Sequence, residues 1–89
     1  METRENERIQ EAVEILGSFA RKYDRRYELS LDDLSMDQIL DRAIGNEELS
    51  DWKMEAYCRC LIDDHLNEIK ENHRALQFLE DNAAKYSNK

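Results

Sequence analysis

The chain has 89 residues, with 13 basic and 21 acidic side chains, no proline, two glycines and two cysteines, for a net charge of −8. That length allows one domain around one thin core; the scarcity of glycine and proline excludes an all-β or turn-rich fold, and two cysteines are too few to staple a small secreted one. The acidity disfavours direct contact with nucleic acid or with anionic membranes.

Leu, Ile, Val and Phe supply 19 of the 89 residues, just above the fraction below which so charged a chain stays disordered, so patterning decides whether it folds. From Thr3 to Tyr23 the residues Ile9, Ala12, Val13, Leu16, Phe19, Ala20 and Tyr23 recur at spacings of three and four. That period predicts a first helix over 3–23 with one apolar stripe. Thr3 is its candidate N-cap, and Gly17, at the edge of the stripe, is a place where another helix could approach closely. Residues 24–34 lose the period and read as a connector, with room for one helical turn after Ser30.

Ser35 and Gln38 have the spacing of a capping box, and Leu34 and Ile39 that of a hydrophobic staple. A second helix is therefore expected over 36–44, with Ile39, Leu40, Ala43 and Ile44 inward and Gly45 ending it in a left-handed conformation. After an acidic loop, Ser50 is the N-cap of a third helix, with Leu49 and Met54 as its staple. No breaker follows before the C-terminus, so this helix is expected to run over 51–86, about 54 Å if unbroken. Asn72 is its one weak point, because Asn competes with the helical backbone for hydrogen bonds. Its inner face reads Met54, Tyr57, Cys58, Leu61, Ile62, His65, Ile69, His73, Leu76, Leu79, Ala83 and Tyr86. The first two helices are too short to cover it side by side, which leaves Leu76, Leu79, Ala83 and Tyr86 as a candidate self-association stripe.

Chemistry-bearing constellations are sparse. Cys58 and Cys60, two apart on a helix, point about 200° apart, and cannot share a metal or a bond; Cys58 reads as core and Cys60 as near-surface. Cys58 and His65 share a face but are about 10.5 Å apart along it, which rejects a nucleophile–base dyad. The run Asp63, Asp64, His65 and Glu68 lacks the Glu-x-x-His spacing of di-iron bundles and the convergent His and Cys that zinc requires. No catalytic, cofactor or metal site is expected. Arg21, Lys22, Arg25 and Arg26, interleaved with Tyr23 and Tyr27, form a basic patch of the composition that single-stranded nucleic acid uses. The same residues suit a helix C-terminus and can pair with the acidic middle of the chain. The second and third helices are similar to a helix-turn-helix, but the joining loop is acidic and Asp51, Trp52, Lys53 and Met54 are a poor phosphate-facing start.

Residues 30–51 carry seven acids and one base, a net −6 of the chain's −8. Asp32, Asp33, Asp37, Asp41, Glu47 and Glu48 form the candidate partner-binding face, which would steer a basic protein into contact. The stretch Leu40-Asp41-Arg42-Ala43-Ile44 followed by Glu48-Leu49-Ser50-Asp51 is similar to part of the Hha family of small helical bacterial proteins, which modulate transcription by binding a nucleoid protein. The likeness is confined to those stretches, with a gap between them, and residues 1–30 have no counterpart in such proteins. It implies a regulator acting through another protein.

The sequence thus predicts an all-α fold, a single domain over 1–89 built as a small antiparallel bundle. Its expected function is a non-enzymatic interaction or adaptor module that works as a homodimer. An acidic regulator of a nucleic-acid-binding protein is the alternative. No stretch resembles a signal peptide or a membrane span, so a cytoplasmic location with reduced thiols is expected.

Overall fold

In the computed structural model, which describes residues 2–20, 26–45 and 49–87, four helices and one 3₁₀ turn pack into an all-α bundle. The helices are α1 (Glu2–Ala20), α2 (Met36–Ile44), α3 (Asp51–Ile69) and α4 (His73–Ser87), with the 3₁₀ turn at Arg26–Leu29. α1 begins before Thr3, which therefore lies inside the helix rather than capping it. It buries Ile9, Ala12 and Leu16 and packs Val13 and Ile15 against the core. The stripe's Phe19, Ala20 and Tyr23 lie outside the described side chains. A Cβ built at Gly17 meets nothing within 4 Å, so this glycine admits no close helix contact.

The connector is anchored by Leu31, which is fully buried. Its helical turn precedes Ser30 instead of following it. Ser30 takes a left-handed φ of 56°; its N–H donates to Tyr27 O at 3.1 Å and that of Leu31 to Arg26 O at 3.5 Å. This is the Schellman pattern of bonds, which satisfies the last carbonyls of a helical turn. The Leu34 N–H then donates to Leu31 O at 3.2 Å and delivers the chain to α2.

α2 starts at the capping box that its sequence specifies. The Gln38 N–H donates to Ser35 Oγ at 3.3 Å, and the Ser35 N–H donates to Gln38 Oε1 at 2.9 Å. Met36, Ile39, Leu40 and Ala43 are buried, while Ile44, expected inside, is 48% exposed. Gly45 ends the helix in a right-handed conformation, φ −72° and ψ −11°, contrary to the left-handed one expected. A Cβ there would stand 2.8 Å from the Asp41 carbonyl oxygen, so the residue serves a close approach instead. Ser50 occupies the N-cap of α3 without a side-chain bond.

The main departure from the sequence reading is the C-terminal half, which is two helices. α3 kinks at His65, φ −130° and ψ 20°, and ends at Ile69. Bonds from the Glu71 N–H to Glu68 O and from the Asn72 N–H to Ile69 O, both 3.1 Å, tighten the exit. Asn72 then caps α4: its Oδ1 accepts from the Ala75 N–H at 3.1 Å. A continuous helix over 51–86 would span about 54 Å, beyond the 37 Å longest dimension of the molecule. α4 returns antiparallel to α3, with Lys85 paired to Asp51 at 3.0 Å. It packs chiefly on α1, where Arg8 and Glu80 form an ion pair.

The stripe expected to project is inside the chain. Leu76, Leu79, Ala83 and Tyr86 are all buried, the most accessible of them 5% exposed. Their cover is the chain's own other helices, α1 above all, and the expectation that α4 stands unpartnered is corrected. α3 is central, with Glu55, Ala56, Tyr57, Cys58, Cys60, Leu61 and Ile69 buried on several sides.

Asn72→Ala removes the α4 cap and is expected to lower stability by about 1 kcal/mol, whereas Asn72→Asp retains the acceptor and most of that stability. Urea melts followed by circular dichroism measure both.

Candidate functional site

The acidic segment is held on a well-fixed frame. Leu31 and Leu34 pin the connector from within, and the buried face of α2 fixes the rotation of that helix, so Asp32, Asp33, Asp37 and Asp41 are exposed on its outer side. Glu47 and Glu48 of the same candidate face lie outside the described residues.

The four acids divide into paired and unpaired. Asp32 stands 3.5 Å from the Arg26 guanidinium. Arg26 also reaches Asp63 at 3.5 Å and Asp64 at 3.4 Å, with only 17% of its side chain exposed. Burial opposes its charge, but Asp64, then Cys60, Tyr27 and Asp32, outweigh that and hold the guanidinium pKa above its ordinary value. One cation thus ties the connector to α3 and draws Asp63 and Asp64 to the acidic side. Asp63 is shared with Arg59 at 3.4 Å. Asp41 pairs with Arg74 of α4 at 2.6 Å. Among the described residues, Asp37 receives the Asn72 amide at 3.5 Å and no cation, and Asp33 has no side-chain partner. Among the described residues of the segment, Asp33 and Asp37 carry the uncompensated charge.

Sequence reasoning missed the part played by Asp63 and Asp64. The acids were visible as an exposed run on α3, but their proximity to Asp32 depends on Arg26 bridging from a connector that has no helical period. Of the basic patch, Arg26 and Tyr27 are described, with the guanidinium 5.4 Å from the Tyr27 ring centre; Arg21, Lys22, Tyr23 and Arg25 lie outside the described residues. The pairing of Arg26 matches the reading in which this patch neutralises part of the acidic segment.

The thiols are placed for packing. Cys58 and Cys60 are both fully buried, which corrects the near-surface position expected for Cys60. Leu31 covers Cys60, whose Sγ lies 3.7 Å from Leu31 O and 3.5 Å from Asp64 Oδ2. Burial pushes the Cys58 thiol up to about 12, and burial followed by the hydrogen bond to Asp64 does the same at Cys60. Neither is a thiolate near neutral pH, and the thiolate is the nucleophilic form. Among the described residues no three His, Cys, Asp or Glu side chains converge as metal ligands would. No helix among them is long and apolar enough to cross a membrane.

Among the described residues, Glu55 is the one charged side chain buried in the core, 2% exposed. It lies near Tyr86 of α4, whose phenol pKa is pushed up by burial first and then by the charge of Glu55. This approach brings the end of α4 to the start of α3.

Comparison of the chain with protein-family models, with curated proteins and with solved structures finds no match. The short likeness of residues 40–51 to Hha proteins is therefore not supported by a family model. In this fold Leu40 and Ala43 of that stretch are core positions, while Asp41 and Arg42 are exposed.

The buried thiols fix an alkaline limit to stability. Each loses its proton near 9.0 when unfolded and near 12 in the fold. The stability this difference supplies is fully present below the lower value and is lost as pH rises toward the upper one. Urea midpoints are expected to fall above pH 9, and Cys58→Ala/Cys60→Ala to flatten that fall. The Tyr86 phenol, shifted the same way from 10.0, leaves a residual slope at higher pH.

Proposed function

We propose that this chain is a non-enzymatic protein–protein interaction module whose acidic outer side, around the connector and α2, docks on a basic surface of another protein. The observation that carries the reading is that Asp33 and Asp37, exposed, meet no cation among the described residues, beside a helix whose opposite face is locked into the core. Such charges cost no rearrangement on binding and accelerate encounter with a cationic partner. Within this reading a nucleic-acid-binding protein is the favoured partner class, since its surface already carries the Lys and Arg that engage phosphates. The chain would then act by occupying that surface, as a regulator does. Burial of Leu76, Leu79, Ala83 and Tyr86 removes the reason for assigning them to a homodimer, so the module is read as active in monomeric form.

Asp33→Lys/Asp37→Lys is expected to abolish capture of the native partner from host extract and to leave the circular dichroism spectrum unchanged, because neither residue is buried. Undiminished capture by this variant would refute the acidic-surface reading. Sedimentation equilibrium at tens of micromolar is expected to give the monomer mass; a concentration-dependent rise to twice that mass would restore the dimer.

A further inference from the structure

The reversal between α3 and α4 is made without any residue that forbids a helix. No glycine or proline stands between Asp51 and Ser87. Among the described residues only Ser30 has a positive φ, so positions 70–72 lack the left-handed residue that ends many helices. Lys70 keeps helical angles, φ −59° and ψ −30°. The Glu71 N–H donates to Glu68 O and the Asn72 N–H to Ile69 O, both at 3.1 Å. Each acceptor is one residue short of the one that a continuing helix would use. The buried face also keeps its phase across the turn. Leu61, Ile69, Leu76, Leu79, Ala83 and Tyr86 are all buried, and their spacings place them within about 100° of one face of a continuous helix.

What holds α4 back is therefore distant along the chain, and it does not depend on chain identity. α4 packs chiefly on α1, with Arg8 paired to Glu80 across that junction. Arg74 meets Asp41 of α2 at 2.6 Å, and Lys85 meets Asp51 at 3.0 Å. An α4 supplied by another copy can make the same contacts. We propose that residues 70–72 are a hinge and that the chain has a second form, a two-fold dimer in which α3 and α4 run on as one helix and each α4 takes the place of its counterpart in the other copy. The exchange reproduces the contacts of α4 beyond the hinge and adds the hydrogen bonds of an unbroken helix. It gives up the Asn72 cap and the freedom of two separate molecules. A three-residue connection holds the chain's own α4 at an effective concentration in the millimolar range. The closed monomer therefore prevails at tens of micromolar, and the exchanged form requires about 1 mM chain or a weakened cap. Each dimer carries the acidic side of α2 twice, although the exchange itself is independent of what that side binds.

The parent chain, Asn72→Ala and His73→Pro are unfolded in urea, refolded at about 1 mM and sized by chromatography with light scattering. The parent is expected to give a dimer fraction that returns to monomer when refolded at about a hundredth of that concentration. Asn72→Ala is expected to raise the dimerisation constant about thirtyfold, because a cap loss of about fivefold per closed chain counts twice. His73 is the first residue of α4, a position that favours proline, whereas proline inside a continuous helix breaks it. His73→Pro is accordingly expected to fold and to stay monomeric. Spin labels on Ser50→Cys and Ala84→Cys, both exposed, read the exchange directly in labelled parent diluted with unlabelled chain. Cys58 and Cys60 are fully buried and escape the label. The separation is short in the monomer, where the neighbouring Asp51 and Lys85 pair, and is expected to reach about 50 Å within one chain of the dimer. A dimer that keeps the short separation is a surface association and overturns the hinge. Monomer alone in Asn72→Ala at about 1 mM, or a dimer yield in folded His73→Pro equal to that of the parent, overturns it as well. The distance measurement decides the matter even where a variant fails to fold.

Discussion

The reversal of the chain between Ile69 and His73 is the constraint on which the rest of this fold depends. It turns one apolar stripe into two antiparallel helices and lets α1 cover the second of them. The balance of energies explains why the reversal wins. Continuing the helix would keep a few more backbone bonds, each worth about 1 kcal/mol net, and would save the ordering of a turn. Folding back buries Leu76, Phe78, Leu79 and Tyr86, and each large apolar side chain removed from water contributes roughly 1.5–3 kcal/mol. Burial therefore drives the reversal, and the Asn72 cap, at about 1 kcal/mol, decides where it occurs.

With the reversal in place, α3 becomes the axis of the molecule, and its burial on several sides accounts for the chemistry of its polar groups. α3 is touched by α1, α2, α4 and the connector, and both of its thiols lie on the sides these elements cover. Cys58 and Cys60 fill small volumes where larger side chains would separate the neighbouring elements. Glu55, 2% exposed, lies where the returning end of α4 brings Tyr86 near it. A buried carboxylate is costly without partners. The approach depends on the reversal: were α4 to project, neither Tyr86 nor Lys85 could reach the start of α3.

Elements with local signals were legible in the sequence, and those set by distant partners were not. The Ser35–Gln38 box and the period of Ile39, Leu40 and Ala43 fix α2 to the residue, since both act within one or two turns. The separation of Ile69 from Leu76 is seven residues, close to two helical turns, so periodicity alone could not distinguish a continuous helix from a break. The polar run Lys70, Glu71, Asn72, His73 and Arg74 between them was the available signal, with Asn72 in a capping position. Burial of Leu31, and through it of Cys60, had no local signature, because it comes from a connector packing across α3. The acidic segment was legible as composition. Which of its acids remain uncompensated depended on Arg26 and Arg74, whose partners lie far along the chain.

Those pairings also give a physical meaning to the excess of acid. Arg8 with Glu80, Arg26 with Asp64, Arg74 with Asp41, and Lys85 with Asp51 each join two different elements of the bundle. Exposed pairs of this kind contribute at most about 1 kcal/mol each, so they set orientation more than they supply stability. A chain with 13 bases and 21 acids that places bases at its internal junctions leaves its surplus acids facing outward. In α2 the consequence is sharpest: Asp41 is paired with Arg74 of α4, while Asp37, one turn earlier on the same face, receives only the neutral amide of the α4 cap Asn72 among the described residues. The uncompensated charge is therefore local, attached to a helix that cannot rotate without exposing Ile39 and Leu40. A locked core face and an uncompensated acidic one are thus two sides of the same short helix.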